Sequence, residues 1–476
     1  MERIRGHHSG WSGGMLGRGG LAAWLLLALV PSGGAQELGS LATYAGKYSG
    51  DPDNGVPAVS AALGAPYSVA VDPQGNVFVG EYNLNRVRRV DATTGSITAM
   101  VGSKTPCAPP ASCGEGGPST AALLDRPRWM ATDSDGNLYI AEYSGLNRVR
   151  MVRASDGVMV PIAGGGSQAI GSTDCVLATR ANVPISGGIA VGAKRNLYIA
   201  GTRVYRVGPE GKITTVAGAG TPSPGKNGDG GAAMAARFST ALTAITCDAR
   251  GALYVADGAR IRKIEPGADG VVTGADDEII TTVAGTGVAG AATDFVKATA
   301  AQLNSPAGLA VNTSGDLFIL DAGVARVRRV VAGLDHVVNG TDDELMTTVA
   351  GGGALPPADG IAGTDARFTY LRGGICLDAK GNLLIADGAY YVYRIAGLAG
   401  APSPVGVGPG MALGDLNGDG KIDVRDAILS LRAVAGLVTL DPFQAAAGDV
   451  TKDGKLTVAD TIAILLTVVG YRSPCF

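Results

Sequence analysis

Two stretches near the C-terminus place oxygen-bearing side chains at alternate positions around a glycine. They are Asp415-Leu-Asn-Gly-Asp-Gly-Lys-Ile-Asp-Val-Arg-Asp426 and Asp449-Val-Thr-Lys-Asp-Gly-Lys-Leu-Thr-Val-Ala-Asp460. A hard cation such as Ca²⁺ takes about six to eight oxygens. A loop with side chains at positions 1, 3, 5, 9 and 12, a carbonyl at 7 and Gly at 6 wraps them around one point. The first loop offers Asp415, Asn417, Asp419, Asp423 and Asp426 with the carbonyl of Lys421. The second offers Asp449, Thr451, Asp453, Thr457 and Asp460 with the carbonyl of Lys455. Four carboxylates against three predict two Ca²⁺ sites, the second weaker.

The flanks decide what kind of calcium module this is. Residues 401–410, Ala-Pro-Ser-Pro-Val-Gly-Val-Gly-Pro-Gly, cannot form a helix and act as a linker. Only residues 411–414 separate that linker from the first loop, so no helix leads into it. A helical pattern follows over 424–435 and stops at Gly436. The second loop starts 34 residues after the first (449 − 415), behind a short capped helix with Pro442 at its first position. Its own helix is predicted over 458–469, ending at Gly470. Two loop-then-helix units behind a Pro/Gly linker resemble a type I dockerin, here over 411–472. That resemblance implies a small all-α domain and calcium-dependent attachment to a cohesin-like partner. It also places partner contacts at the tenth and eleventh loop positions, Val424 with Arg425 and Val458 with Ala459, and at Arg432 on the first helix. Cellulosomal dockerins often carry a Ser/Thr pair at the tenth and eleventh positions, so the calcium fold carries over while recognition of a typical cellulosomal cohesin does not.

The chain before the linker is a repeat. Six copies pair an apolar strand, a tight turn and a second apolar strand, as in Val69-Ala-Val-Asp-Pro-Gln-Gly-Asn-Val-Phe-Val-Gly-Glu81 and Met130-Ala-Thr-Asp-Ser-Asp-Gly-Asn-Leu-Tyr-Ile-Ala-Glu142. The turns begin at 72, 133, 192, 248, 312 and 378, so the intervals are 61, 59, 56, 64 and 66. Intervals that loose imply variable loops between fixed strands. Asp caps the turn and Gly takes its left-handed position, so these residues are structural. A third strand rich in Arg and Val follows, then a fourth ending in Ala-Gly or a near variant, but the sixth copy lacks the fourth. The missing strand is residues 41–46, Leu-Ala-Thr-Tyr-Ala-Gly, ahead of the first copy. An orphan strand at one end and a vacancy at the other predict a mainly β, six-bladed propeller over 36–400, closed by an N-terminal strand. Asp-x-x-Gly-Asn-Leu-Tyr-Ile-Ala-Asp followed by Asn-Arg-Val-Arg resembles the NHL repeat, from which the third copy departs at Gly192 and Arg195.

Strand direction puts the blade-to-blade connections and the second-to-third loops on one face. Long loops on a rigid rim are where recognition resides, so this is the expected face for an unknown protein or glycan ligand. Tyr82, Tyr143, Tyr205, Tyr390 and Trp129 are its aromatic candidates. The acids Glu81, Glu142, Asp257, Asp321 and Asp387 recur at second-strand ends, which points to pairing with Arg or capping of loops. Matching acidic insertions at 269–278 and 336–344 are expected as surface loops.

Composition narrows the function further. A net charge of −3 gives no electrostatic reason for nucleic-acid binding. Arg3, Arg5 and Arg18, an apolar run over 21–30 and small residues to Ala35 form the layout of a signal peptide over 1–35. That run is too short to span a bilayer comfortably, and a secreted, extracellular protein without a membrane span after cleavage is expected. His7, His8, Trp11 and Trp24 would leave with the leader. His336 would be the one histidine in the mature chain, too few for a multi-histidine metal site or a simple serine triad. The leading expectation is therefore a non-enzymatic binding protein held by its tail. The alternatives are an extracellular enzyme or accessory protein of polysaccharide catabolism, of the O-glycosyl hydrolase type, and a structural surface protein. Cys107 and Cys113 are spaced for a local disulfide, whereas Cys247 and Cys376 fall in apolar strands as buried thiols. Cys175 and Cys475 have no evident partner in the sequence.

Overall fold

The structure is a computed structural model. It describes residues 39–398, apart from 48–53, 109–112, 144, 146, 172–174, 220–227, 333–336 and 341–343, together with 416, 424–434, 458, 461–462 and 464–465. The expected leader at 1–35, the linker at 401–410 and most of both calcium loops lie outside the described residues.

Alternating apolar residues around tight turns fold as antiparallel strands, and the described residues form six such sheets. Their innermost strands are Pro66–Val71, Pro127–Thr132, Gly188–Val191, Ile245–Cys247, Pro306–Val311 and Ile375–Leu377. Each packs against its two neighbours, and the sixth packs against the first. The protein is a six-bladed β-propeller. Its core is divided among the blade interfaces: Phe78 and Val87 of blade 1 pack with Leu138 and Ile140 of blade 2, for example. Leu41–Ala45 pairs antiparallel with Val392–Ile395, Leu41 opposite Ile395 and Thr43 opposite Tyr393, so the first strand completes the last blade.

The connections, expected as long variable loops, are only partly so. Before each innermost strand the chain makes a short outer strand or a single bridge, then one 3₁₀ turn. In four blades the outer strands are Val56–Pro57, Val176–Leu177, Gly231–Ala232 and Val296–Lys297. In the others, Pro118 bridges Val158 and Ser40 bridges Ala362. A small residue opens the turn, Ala follows three residues later, and a large apolar residue comes two after that. Ala58, Ala61 and Leu63 show the pattern, as do Ala298, Ala301 and Leu303, all buried. The turn ties two blades together: Gly46 N–H donates to the Ala58 carbonyl (3.0 Å), and Ala58 N–H donates to the Gly95 carbonyl (3.0 Å). Small side chains let the backbones approach this closely.

The acidic insertions are likewise not plain surface loops. Val271 and Val272 are buried against blade 3, where Tyr198 Oη donates to the Val272 carbonyl (3.2 Å) and accepts the Val272 N–H (3.1 Å). Glu278 is fully buried and closes the loop by accepting Thr273 Oγ1 (2.8 Å) and Gly274 N–H (2.7 Å). In the second insertion Val338 is buried and Glu344 accepts the Asn339 N–H (2.6 Å), while His336 lies outside the described residues. Valines in the loop supply the apolar surface that the acidic composition conceals.

The turns behave as their residues dictate, and the exception has a steric cause. Asp133 Oδ1 accepts the N–H groups of Asp135 (3.0 Å) and Asn137 (2.9 Å), while Oδ2 accepts Asn137 Nδ2 (2.8 Å) and Tyr139 Oη (3.2 Å). In blade 3 the equivalent tyrosine, Tyr198, is engaged with the insertion instead. A Cβ at Gly192 would lie 2.9 Å from the Tyr198 ring and 3.1 Å from Cys247 Sγ. Glycine is required there by space, because its φ of −100° is open to any residue. Introducing the aspartate that opens most of the other turns, Gly192→Asp, should therefore destabilise the chain by about 1–3 kcal/mol. Asp133→Ala should cost a similar amount, about 1–3 kcal/mol, for its unpaired buried donors. Denaturation midpoints check both, and a stabilised Gly192→Asp variant would refute the steric account.

Candidate functional site

On the long-loop face the recurring acids are committed to structure. Glu81 pairs with Arg86 and accepts the Gly64 N–H (2.8 Å). Glu142 pairs with Arg150 (2.6 Å) and Arg148 (3.1 Å) and accepts the Asp125 N–H (2.9 Å). Asp257 pairs with Arg260 (3.1 Å) and accepts Ser239 Oγ (2.6 Å) and N–H (2.7 Å). Asp321 holds the Asn304 N–H (2.7 Å), and Asp387 holds those of Ala389, Tyr390 and Tyr391 (2.7, 2.9 and 3.0 Å). Each acid anchors a connection or a second-to-third loop to its strand, which is why the type recurs. Burial raises the Asp321 carboxyl to about 6, opposed by its Asn304 hydrogen bond and by Arg328 and Arg326. Burial likewise raises Asp387, opposed by backbone hydrogen bonds, that from Tyr391 foremost.

Cys107 and Cys113 form the expected disulfide. Arg150 Nη1 donates to the Cys113 carbonyl (3.1 Å), so the closed loop is fastened to blade 2. Cys247 and Cys376 are free and half-buried by exposure, and burial pushes the Cys247 thiol up to about 12. Cys175 is free and exposed.

The disulfide loop walls a cavity of about 680 Å³ between blades 1 and 2, also lined by Tyr82, Asn83, Asn85, Asp125, Arg126 and Gly145. Beside it, Tyr82 packs on Tyr67 (5.1 Å between centroids), and Trp129 meets Tyr143 edge-on (5.7 Å). Of the expected aromatics, Tyr82, Tyr143 and Trp129 thus gather at one place. Tyr205 is buried in the core, and Tyr390 lies on blade 6, away from the gathered rings and 39 % exposed. Arg128, which no sequence pattern singled out, sits among the gathered rings.

In the tail, α1 spans Val424–Val434. Ala427 and Leu429 pack with Leu416 and Ile464, and the hydroxyls of Ser430 and Thr461 meet at 2.8 Å in the buried contact between the two helical segments. Asp426, the twelfth residue of the first loop, lies in the first turn of α1 and is fully buried. The other expected ligands, Asp415, Asn417, Asp419, Lys421, Asp423, Asp449, Thr451, Asp453, Lys455, Thr457 and Asp460, lie outside the described residues, as does Ala459. Arg425 and Val458 are exposed, Arg432 is half-buried, and Val424 opens α1. Sequence reasoning missed the larger feature nearby. Ile428 and Leu431 are 41 % and 49 % exposed, and their counterparts 34 residues on (462 − 428, 465 − 431), Ile462 and Leu465, are 52 % and 40 % exposed. The signal was present as apolar residues recurring at the loop spacing on a face the core does not use.

Residues 413–464 match the family model described as the dockerin type I domain, a family that implies calcium-dependent attachment to cohesin. Among solved structures, the chain is similar to a protein of unknown function from Bacteroides thetaiotaomicron, at 17 % identity over 75 % of each chain and a TM-score of 0.50. It also resembles an auxiliary nutrient binding protein from Bacteroides ovatus, at 15 % identity over 76 % of this chain and 77 % of that one, with a TM-score of 0.49. Identities this low speak to the fold alone.

Two outcomes are expected. The raised Asp321 carboxyl binds its proton more tightly in the folded state, so its contribution is full below its ordinary value near 3.8 and is lost as pH rises through about 6. Asp321→Asn keeps an acceptor for Asn304. It should gain stability relative to the parent between pH 4 and pH 7, by no more than about 3 kcal/mol; parallel melting curves across that range would refute this. For calcium, a site at ~1,000 times its Kd adds about 4 kcal/mol. Chelation of the full chain should abolish amide-exchange protection over 424–434 while sparing the propeller strands; unchanged protection would exclude calcium as the source of the tail's stability.

Proposed function

The chain carries a type I dockerin domain at residues 413–464, and from that premise we propose that it is a secreted, calcium-binding protein whose propeller captures a protein or glycan while its tail fastens it to a cohesin-bearing scaffold. The propeller is of the NHL type, over 36–400, with 401–410 as tether and 411–472 as docking module. Asp415, Asn417, Asp419, Asp423 and Asp426 with the Lys421 carbonyl hold one Ca²⁺ in this reading. Asp449, Thr451, Asp453, Thr457 and Asp460 with the Lys455 carbonyl hold a second more weakly. The metal contributes charge neutralisation and folding free energy, fixing the loops from which the helices start.

The observation that carries the docking reading is the duplicated apolar face. Ile428 and Leu431, repeated as Ile462 and Leu465, are left uncovered in a module too small to waste apolar surface. Arg425 and Val458 adjoin it at loop positions eleven and ten. Val424 with Arg425 and Val458 with Ala459 stand where cellulosomal dockerins often carry a Ser/Thr pair, and so select a different cohesin.

Binding fits the propeller better than O-glycosyl hydrolysis. Among the described residues, the innermost strands carry no Asp or Glu, and the acids at the rim are engaged with Arg side chains or backbone N–H groups. A paired acid and base at ~5–10 Å is what glycoside cleavage needs. The Cys107–Cys113 disulfide and the leader-like N-terminus support export to an oxidising compartment.

A cohesin from the same secreted proteome should capture the full chain in Ca²⁺ and release it in chelator. Ile428→Asp with Ile462→Asp should weaken capture at least tenfold, since each buries a charge where an apolar anchor stood, at ~1–3 kcal/mol apiece. Equal capture by this variant, or capture that ignores calcium, would defeat the docking reading.

A further inference from the structure

Arg128 is the one charged residue on the six described innermost strands. Its guanidinium carbon lies 4.4 Å from the Tyr143 ring centroid, 4.6 Å from that of Trp129 and 5.6 Å from that of Tyr67. Other arginines of the strands are spent on acids or carbonyls: Arg150 on Glu142, Arg262 on Asp229, Arg328 on Asp294 and Arg329 on Asp316. Among the described residues, Arg128 has neither a hydrogen-bond acceptor nor an acid. The guanidinium is surrounded by rings that attract its charge but take none of its N–H hydrogen bonds, so those in-plane donors remain to be matched.

That arrangement is half of a recognition site. An in-plane fork of donors matches a carboxylate, and such charge-assisted pairs are roughly twice as strong as neutral ones. The half-buried faces of Tyr67 and Trp129 and the exposed Tyr143 provide flat surfaces against which the C–H face of a pyranose packs. Tyr67 leads through Tyr82 to the neighbouring cavity, which presents Asn83, Asn85 and Asp125 to hydroxyl groups. Its volume of about 680 Å³ suits a short oligosaccharide. A peptide carboxylate would use the arginine but would leave this hydroxyl-matching wall without partners.

We infer that the Arg128 ring cluster and the adjoining cavity between blades 1 and 2 bind a carboxylated saccharide, a hexuronate unit of an acidic glycan. Arg128 receives the carboxylate, Trp129 and Tyr143 carry the sugar ring, and the cavity takes the adjoining residues. This rests on reading the long-loop face as the ligand face, and it narrows that ligand to one chemical class.

The test titrates the full, calcium-loaded chain calorimetrically with oligogalacturonate, oligoglucuronate and oligoalginate, at fixed calcium. Methyl-esterified oligogalacturonate, a cello-oligosaccharide and an oligoglutamate peptide serve as controls. At least one uronate is expected to bind, with affinity falling as salt rises, and at least tenfold more tightly than the neutral sugars. Arg128→Gln should reduce that binding tenfold or more with an unchanged melting temperature, and Tyr143→Ala should weaken uronate binding with Arg128 intact. Failure of all three uronates overturns the inference, as does uronate binding that Arg128→Gln leaves intact. Binding of the neutral sugar alone, or of the peptide alone, also overturns it while leaving the long-loop face as a ligand face. If none of the probes binds, the inference falls, and the broader reading then rests on whether other ligands occupy that face.

Discussion

The pairing of Leu41–Ala45 with Val392–Ile395 is the constraint on which the remainder of the molecule depends. A ring of sheets has no interior reason to close. Each blade interface buries its own cluster, and six interfaces exist only if the last blade meets the first. Strands from opposite ends of the propeller make that meeting a matter of backbone hydrogen bonding, which covers two edges that would otherwise be open. Only with the ring shut do the innermost strands converge and the second-strand ends gather at one rim.

The blade interfaces then explain where charge can be tolerated. Buried arginines, among them Arg88, Arg150, Arg262 and Arg328, reach from third strands toward acids and carbonyls of the connections. A buried guanidinium is costly unless its donors are met, and burial lowers the proton affinity of Arg150, Arg262 and Arg328. The connections meet Nη donors of each of the four with carbonyl oxygens, so loop conformation and blade packing are coupled. Arg128 departs from this economy. Its partners are aromatic rings, and among the described residues no acid or acceptor meets its N–H groups.

The tail follows a different logic. Its described core is a few side chains around Leu416, Ala427, Leu429 and Ile464, which buries little apolar surface. Duplication places the same apolar residues on both helical segments, so a surface that the fold does not consume appears twice. In the proposed function, propeller and module divide the work between a rim that binds a ligand and a small plug that fixes the location.

Much of this was written in the sequence. The orphan strand at 41–46, the Asp-x-x-Gly turns and the doubled calcium loops are local patterns, each set by backbone chemistry within a dozen residues. Residues such as Ala58, Ala61 and Leu63, which look like loop composition in one dimension, proved to be stitches between blades because small side chains matter only when a second backbone is near. The same holds for Gly192, whose reason is Tyr198, and for the acidic insertion, whose two valines are its buried part. Sequence by itself determined strand order, blade number, ring closure and the oxygen-rich loops, since periodicity and turn residues act along the chain. Tertiary structure alone decided which arginines and backbone groups the recurring acids hold, that Ile428 and Ile462 stand uncovered, and that Arg128 meets three rings from two blades. Those facts depend on which residues distant in the chain come within a few ångströms of one another.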